Sequence, residues 1–88
     1  MNLIYTTQFK KDFRRVSSQG KDISKLETII EILLSRKKLD PQYRDHSLVG
    51  KWKNHRDCHI EPDWILIYRL TKESLILERT GSHSELFK

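Results

Sequence analysis

Residues capable of acid-base chemistry concentrate in the stretch 45–64, which holds three of the four histidines, both tryptophans and an acidic turn. Imidazole is the side chain whose ordinary pKa lies closest to neutral, so it can accept or release a proton at physiological pH. His59 is followed four residues later by Asp63, and a nearby carboxylate can orient and tune an imidazole. The C-terminal residues 81–87 add His83 and Phe87. We expect any chemistry to arise in these two segments.

Histidines and an acid on a basic surface suit metal-independent RNA cleavage, in which a 2′-hydroxyl attacks the neighbouring phosphate. That reaction needs a base for the hydroxyl proton, an acid for the departing 5′ oxygen, and cations for the charge that develops on the phosphate. Trp64 and Phe87 could stack on splayed bases, which is how proteins commonly hold single-stranded RNA. The alternative for both aromatic side chains is packing in the core.

A metal site is the main competing interpretation, because His46, His59, Asp63 and His83 could together provide three or four ligands. Their spacing matches no compact zinc motif such as His-Glu-x-x-His, and strand alternation directs Cys58 away from His59. The three glycines form neither a Walker nor a Rossmann pattern, and no serine lies in a Gly-x-Ser-x-Gly elbow. The sequence therefore predicts no metal and no cofactor.

Length and charge describe one small basic domain. The 88 residues are enough for a single hydrophobic core, and the formal charge of +5 with a pI near 9.5 suits a polyanionic partner such as nucleic acid. A single cysteine cannot form an internal disulfide, which fits a reducing compartment. No stretch has the length of a signal sequence or a membrane span, so we expect a cytoplasmic protein.

The first half of the chain predicts a strand followed by a helical hairpin. Residues 2–5 are short and apolar, as in an edge strand. Residues 8–18 form an amphipathic helix, in which Phe9, Phe13 and Val16 line the inner face. A second helix after Asp22 or Ser24 carries one broad apolar stripe. The outer face of the first helix is predicted to be strongly basic, with Lys10, Lys11, Arg14 and Arg15.

The second half predicts an antiparallel meander. Residues 56–61 alternate, with Cys58 and Ile60 on one face and Asp57, His59 and Glu61 on the other. Pro62 and Asp63 suit a tight turn, and residues 64–70 are apolar on both faces, as in a central strand. A further strand follows at 75–80. The order β-α-α-β-β-β predicts an α+β domain in which the meander packs against the helix hairpin.

These residues include a set of longer motifs. They read Asp45-His46-x-Leu-x-Gly, Trp52-Lys53, Arg56-Asp57-x-His59-Ile60-Glu61-Pro62-Asp63-Trp64-Ile-Leu-Ile-Tyr68, and Glu78-Arg79-Thr80-Gly81-x-His83 with Leu86-Phe87. The pattern closely resembles that of the YafQ toxins, members of the RelE superfamily of bacterial type II toxin-antitoxin systems. The resemblance is dense from 45 to 87 and looser over the helices.

This resemblance implies a compact RelE-type microbial ribonuclease fold and a ribosome-dependent endonuclease that cuts mRNA in the ribosomal A site. It also implies a DinJ-like antitoxin as partner, in a toxin-antitoxin hetero-oligomer. His55 lies outside the motif, and we expect it to be a surface residue. The functional positions that the motif implies are His46, His59, Asp63, Trp64, His83 and Phe87.

Roles for these residues follow as hypotheses. His83 would protonate the leaving oxygen, His46 or Asp63 would take the 2′ proton, and His59 would orient groups or stabilise charge. Phosphates would be held by Arg56, Arg79 and the helix lysines Lys10 and Lys11. Two other classes compete with the enzyme: a noncatalytic module that binds nucleic acid or titrates antitoxin, and a purely structural partner domain. The antitoxin is expected to wrap the basic surface of the first helix, and either to cover the group His46, His59, Asp63 and His83 or to block docking on the ribosome.

Overall fold

A computed structural model describes residues 1–87. The chain forms one five-stranded sheet with the order β1-β5-β4-β3-β2. β1 runs parallel to β5, and the other neighbouring pairs are antiparallel. The strands are β1 (Asn2–Tyr5), β2 (His46–Ser47), β3 (Arg56–Glu61), β4 (Trp64–Leu70) and β5 (Ser74–Gly81), and the helices are α1 (Thr7–Ser18), α2 (Ile23–Leu34) and α3 (His83–Leu86).

The two long helices begin where the sequence places capping side chains. The hydroxyl of Thr6 accepts the Phe9 amide at 3.0 Å, and the carboxylate of Asp22 accepts the Ser24 amide at 3.0 Å. Such bonds satisfy amides that have no partner within a helix's first turn. Gly20, at a φ of 80°, adopts the left-handed conformation that ends α1 and lets the chain turn into α2. The predicted helical hairpin is confirmed.

The main core lies between this hairpin and one face of the sheet. From β4 it takes Trp64, Leu66 and Tyr68, all fully buried. The alternate β4 residues, Ile65 and Ile67, are equally buried but pack on the other face of the sheet. β4 is therefore apolar on both sides, as predicted for the central strand. The helices contribute to the main core with Phe9, Val16, Leu26, Ile29 and Leu33.

Four features differ from expectation. Residues 83–86 form a helix that the sequence did not predict, because four residues are too few to show a periodic pattern. The two-residue strand β2 is equally short. On α1, Phe13 is 36% exposed rather than part of the core. Arg15 does not belong to a solvated outer face, because its guanidinium binds Asp12. Among residues 1–87 no helix is long and apolar enough to cross a membrane.

Candidate active site

A row of paired residues crosses the sheet on the face opposite α1 and α2. His46 on β2 pairs with Asp57 on β3, Asp57 with Ile67 on β4, and Ile67 with Arg79 on β5. Residues paired directly across antiparallel strands project from the same face of a sheet. The neighbouring row, which pairs His59 with Ile65, lies on this face as well. We call this surface the histidine face.

His46 is held in one tautomer. Its Nδ1 lies 2.8 Å from the carbonyl oxygen of Arg44, and a carbonyl can only accept, so Nδ1 carries the hydrogen. The neutral ring then has an unprotonated Nε2. The side chain is 55% exposed, so a substrate has access to it. This arrangement suits a general base.

Asp57 lies beneath this imidazole and is 4% exposed. Its Oδ1 is 3.1 Å from Nδ1 of His46, yet it accepts no hydrogen bond from any residue in the described part of the chain. Burial raises the pKa of Asp57, while positive charge on His46, His59 or His83 would lower it and the charge of Asp45 raises it further. The pKa of Asp57 therefore depends on the charge of all three predicted catalytic histidines. Such a perturbed pKa is typical of an acid in an active site.

The turn between β3 and β4 connects two of the predicted residues. Nδ1 of His59 lies 3.2 Å from the carbonyl oxygen of Pro62, so that nitrogen carries the hydrogen. Oδ1 of Asp63 accepts the backbone amide of His83 at 3.0 Å. Asp63 therefore holds the first residue of α3. His83 is exposed, and its ring centroid lies 5.0 Å from that of Phe87.

Trp64 does not join this group, which corrects the predicted base-stacking role. The indole is 0% exposed in the main core on the helix side of the sheet. Its Nε1 donates to the hydroxyl of Thr80 at 2.9 Å. A base cannot stack on this side chain in the present conformation. The alternative raised from sequence, core packing, describes Trp64 correctly.

The predicted phosphate-binding cations are also dispersed. Arg56 is paired with Tyr68, which puts it on the helix side of the sheet, and it binds Asp45 at 3.2 Å. Lys10 and Lys11 are exposed on α1, which packs against that same side. Arg79 alone has a register position in the histidine-face row, next to a bulge in the β4–β5 pairing. Its side chain is tied to Asp12 at 2.6 Å.

His55 is not a simple surface residue either. Nε2 lies 3.0 Å from a carboxylate oxygen of Glu78, and the side chain is 17% exposed. The ring meets Trp52 edge-on, with 5.3 Å between centroids. This pairing connects the loop before β3 to β5, so its evident role is to fix the edge of the site rather than to contact substrate.

Two functional candidates were missed at the level of sequence. The sequence placed Asp57 only on a polar strand face, although an acid one residue from Arg56 and two residues from His59 is a candidate partner for the predicted catalytic histidine on the same strand face. Asp12 is fully buried on α1, between the inward positions Phe9 and Val16. A lone acid within an apolar helical stripe predicts a buried cationic partner, because an unpaired buried charge is strongly unfavourable.

Within residues 1–87, no three His, Cys, Asp or Glu side chains converge in a way that could hold a metal ion. The histidine face instead places single ionisable groups around an open surface. Three exposed or half-buried imidazoles, one buried acid and one arginine can transfer protons and stabilise a negative charge. This arrangement is suited to acid-base chemistry on a phosphodiester.

Comparison with known proteins identifies relatives over nearly the whole chain. The mRNA interferase toxin YafQ of Escherichia coli is 45% identical over 84 residues, which cover 94% of this chain and 91% of the relative. A copper-bound mutant toxin from Helicobacter pylori is 47% identical, with a TM-score of 0.95 and 99% of both chains covered.

A second solved structure is the E. coli DinJ-YafQ complex, whose toxin is 43% identical with a TM-score of 0.93, over 99% of this chain and 98% of that one. The family model for YafQ, described as the bacterial toxin of a type II toxin-antitoxin system, matches residues 1–88. Fold, motif and sequence agree, and the chain belongs to the YafQ toxin family of the RelE superfamily.

Proposed function

We propose that this protein is a ribosome-dependent endoribonuclease that cuts translated mRNA in the A site by side-chain acid-base catalysis. The observation that carries the proposal is the histidine face, where His46 lies 3.1 Å from the buried carboxylate of Asp57, His59 follows on the same strand face, and Asp63 holds the backbone amide of His83. Relatives named mRNA interferase toxins support the reaction class. The three histidines and Asp63 are exposed or half-buried, so packing of the hydrophobic core does not explain their presence.

His46 is the better candidate for the base. Its Nε2 is free to take the proton of the 2′-hydroxyl while Nδ1–H stays bound to the Arg44 carbonyl. Asp63, the alternative base, already uses Oδ1 to hold the amide of His83. As the 2′ oxygen bonds to phosphorus, the imidazole of His46 becomes positive, and the carboxylate of Asp57 at 3.1 Å stabilises that charge.

His83 is the proposed acid. In its protonated form it gives a proton to the 5′ oxygen as the phosphorus–oxygen bond breaks. The products are a 2′,3′-cyclic phosphate and a 5′-hydroxyl end, and both protons are accounted for. Arg79 would face the charge on the pentavalent phosphate, with Asp12 fixing its orientation. His59 would stabilise charge or orient the scissile group.

The mechanism assigns every proton transfer to protein side chains and requires no metal. Cleavage should therefore persist in a chelator when magnesium-dependent ribosome integrity is controlled by a parallel translation-competence assay. Retained activity with 5′-hydroxyl ends is the expected result. Loss of activity on chelation with recovery on adding copper or zinc, or products with 5′-phosphate ends, would contradict the mechanism.

We further propose that a DinJ-like antitoxin binds the groove between α1 and α2. Complexes of YafQ with DinJ support the partner class. The groove, about 580 Å³ in volume, has an apolar floor, two cations on its α1 side and the acid Glu27 on its α2 side, so it suits an amphipathic helix that turns its acidic residues towards α1. Its floor includes Phe9, Phe13, Leu26 and Ile30, and its edge includes Lys10 and Arg14.

The deciding experiment compares one defined mRNA in three states: free, bound to ribosomes with a vacant A site, and bound with that site filled by tRNA. Purified protein should cut only the second, at the A-site codon. Equal cutting of free mRNA would contradict ribosome dependence. Binding without cutting in any state would favour the noncatalytic module. The variant Lys37→Ala, changed at an exposed position after α2, should cut as the wild type does in each state.

A further inference from the structure

A buried ionic network joins α1 to the end of β5. Asp12 is 0% exposed. Its carboxylate accepts hydrogen bonds from Nε of Arg79 at 2.6 Å and from Nη1 of Arg15 at 2.8 Å. It also accepts the backbone amide of Thr80 at 3.2 Å. Burial alone would raise the pKa of Asp12, but these bonds outweigh it and lower the pKa, so the group is a carboxylate.

Arg15 extends this network to α3. Its Nη2 donates to the Thr80 carbonyl at 2.8 Å, and its Nε lies 3.0 Å from Oε2 of Glu85. The other oxygen of Glu85 accepts the Ser82 amide at 2.8 Å, completing a capping box at the start of α3. One guanidinium therefore contacts α1, β5 and α3.

Gly81 lies where the side chains of Arg15 and Glu85 approach the backbone most closely. A Cβ at position 81 would lie 2.5 Å from Nη2 of Arg15 and 2.8 Å from Oε1 of Glu85. Both atoms are already bound to other groups, so neither moves aside without breaking the network. The glycine therefore allows Arg15 and Glu85 to pack directly against the backbone that leads to His83.

A helix of four residues has no stability of its own, because its first turn costs more conformational entropy than its hydrogen bonds return. The position of α3, and of His83 at its first residue, must come from tertiary contacts, which include burial of Leu86 on the histidine side of the sheet. Asp63 supplies one from the β3–β4 turn. Arg15 supplies another through Glu85: their Nε and Oε2 atoms form an ion pair at 3.0 Å, without the geometry of a hydrogen bond.

We propose that Asp12 and Arg15 are positioning residues for the cleavage reaction: through Glu85 and Thr80 they fix α3, and with it His83, and they orient Arg79. The proposal rests on the proposed function, in which His83 is the acid and Arg79 faces the phosphate. In this proposal neither Asp12 nor Arg15 is assigned a contact with the substrate. They act from α1, where they hold His83 and Arg79 in position.

The test uses Arg15→Gln, Glu85→Gln and the double variant. Glutamine at 85 can still accept the Ser82 amide, so it removes the ionic contact and keeps the helix cap. Lys25→Gln, which breaks an exposed ion pair between α2 and Glu61, is the matched control. Single-turnover cleavage on programmed ribosomes is measured over a range of protein concentrations, and the amide and ring resonances of His83 are followed by NMR.

Each single variant should lower the limiting cleavage rate by roughly tenfold to a hundredfold, the order expected when a reacting group is displaced by about 1 Å. The half-saturating concentration should stay unchanged, and the His83 resonances should shift. The double variant should be no slower than the slower single variant, because both break the same link. Lys25→Gln should match the wild type in every measurement.

Unchanged limiting rates with unmoved His83 resonances would overturn the proposal. Should Arg15→Gln melt below the assay temperature, Glu85→Gln decides alone, since Glu85 lies partly exposed. His83→Gln separates the two hypotheses. An inactive His83→Gln beside fully active Arg15→Gln and Glu85→Gln would reject only the positioning role, whereas an active His83→Gln would reject the assignment of His83 as acid.

Discussion

Nδ1 of His46 lies 3.1 Å from Oδ1 of Asp57, and that oxygen accepts no hydrogen bond from any described residue. A buried carboxylate oxygen without a donor costs free energy in the resting protein. It becomes favourable when His46 gains a proton, because a positive charge then stands beside it. The same contact between His46 and Asp57 is therefore unfavourable in the resting protein and stabilising once His46 is protonated during the reaction.

Asp57→Asn tests this relationship through stability and activity together. The amide cannot carry the buried charge, so the variant should be more stable at neutral pH by about 1 kcal/mol, or roughly 4–8 °C in Tm. Cleavage should fall, because protonated His46 loses its counter-charge. Thermal melting and single-turnover cleavage measure the two effects. A variant that is less stable and fully active would show that Asp57 is only a structural acid.

The pH dependence of stability gives an independent check on Asp57. Its pKa is raised by burial, so the folded protein binds this proton more tightly than the unfolded chain does. Stability must therefore fall as pH rises from the unfolded value through the raised folded pKa. The difference in unfolding free energy between wild type and Asp57→Asn should shrink as pH decreases through that window. A pH-independent difference would contradict the raised pKa.

His83→Ala and Asp63→Ala should each abolish toxicity without unfolding the domain. Both residues are exposed, so their truncation leaves the two clusters of the core intact. Loss of a general acid typically costs about 10²- to 10⁴-fold in rate, and Asp63→Ala removes the bond that holds the His83 amide. Growth arrest on induction, circular dichroism and melting curves provide the measurements. A toxic variant would exclude its residue from the mechanism.

Trp64→Phe should act on stability and not on RNA binding. The substitution removes the indole donor and leaves the Thr80 hydroxyl, which also donates to the Ile65 carbonyl, without its partner on that side. A loss of about 1–3 kcal/mol is expected for such an unsatisfied buried group. Cleavage per folded molecule, measured well below the melting temperature, should change little. Intact stability with weakened RNA binding would restore the stacking role.

Periodicity predicted the elements because burial on one face repeats along the chain. Leu26, Ile29 and Leu33 of α2 show this in a helix, and Cys58 and Ile60 of β3 show it in a strand. Such patterns depend only on local spacing and the existence of a core. They fixed the α+β class and the hairpin.

Contacts between distant elements could not be read in this way. Arg15 and Arg14 are neighbours of the same type, yet only Arg15 meets Glu85, seventy positions later. Trp64 precedes an apolar run, and whether its ring faces solvent depends on Thr80 and the helices above it. Charge and aromaticity therefore suggested chemistry at positions that the fold uses for packing.

The last prediction concerns the antitoxin. Lys10 and Arg14 edge the apolar groove between α1 and α2, and Lys11 is exposed on the same helix, so an acidic partner would be steered towards α1. Lys11→Glu with Arg14→Glu should slow association and flatten its dependence on salt, because complementary surface charge acts mainly on the association rate. Single-turnover cleavage should keep its limiting rate, since both positions lie away from the histidine face.

Association rates are measured across a salt series, with Lys37→Glu and Lys38→Glu together as a control of equal charge change. Identical salt slopes for wild type and the α1 variant would mean that the antitoxin binds elsewhere.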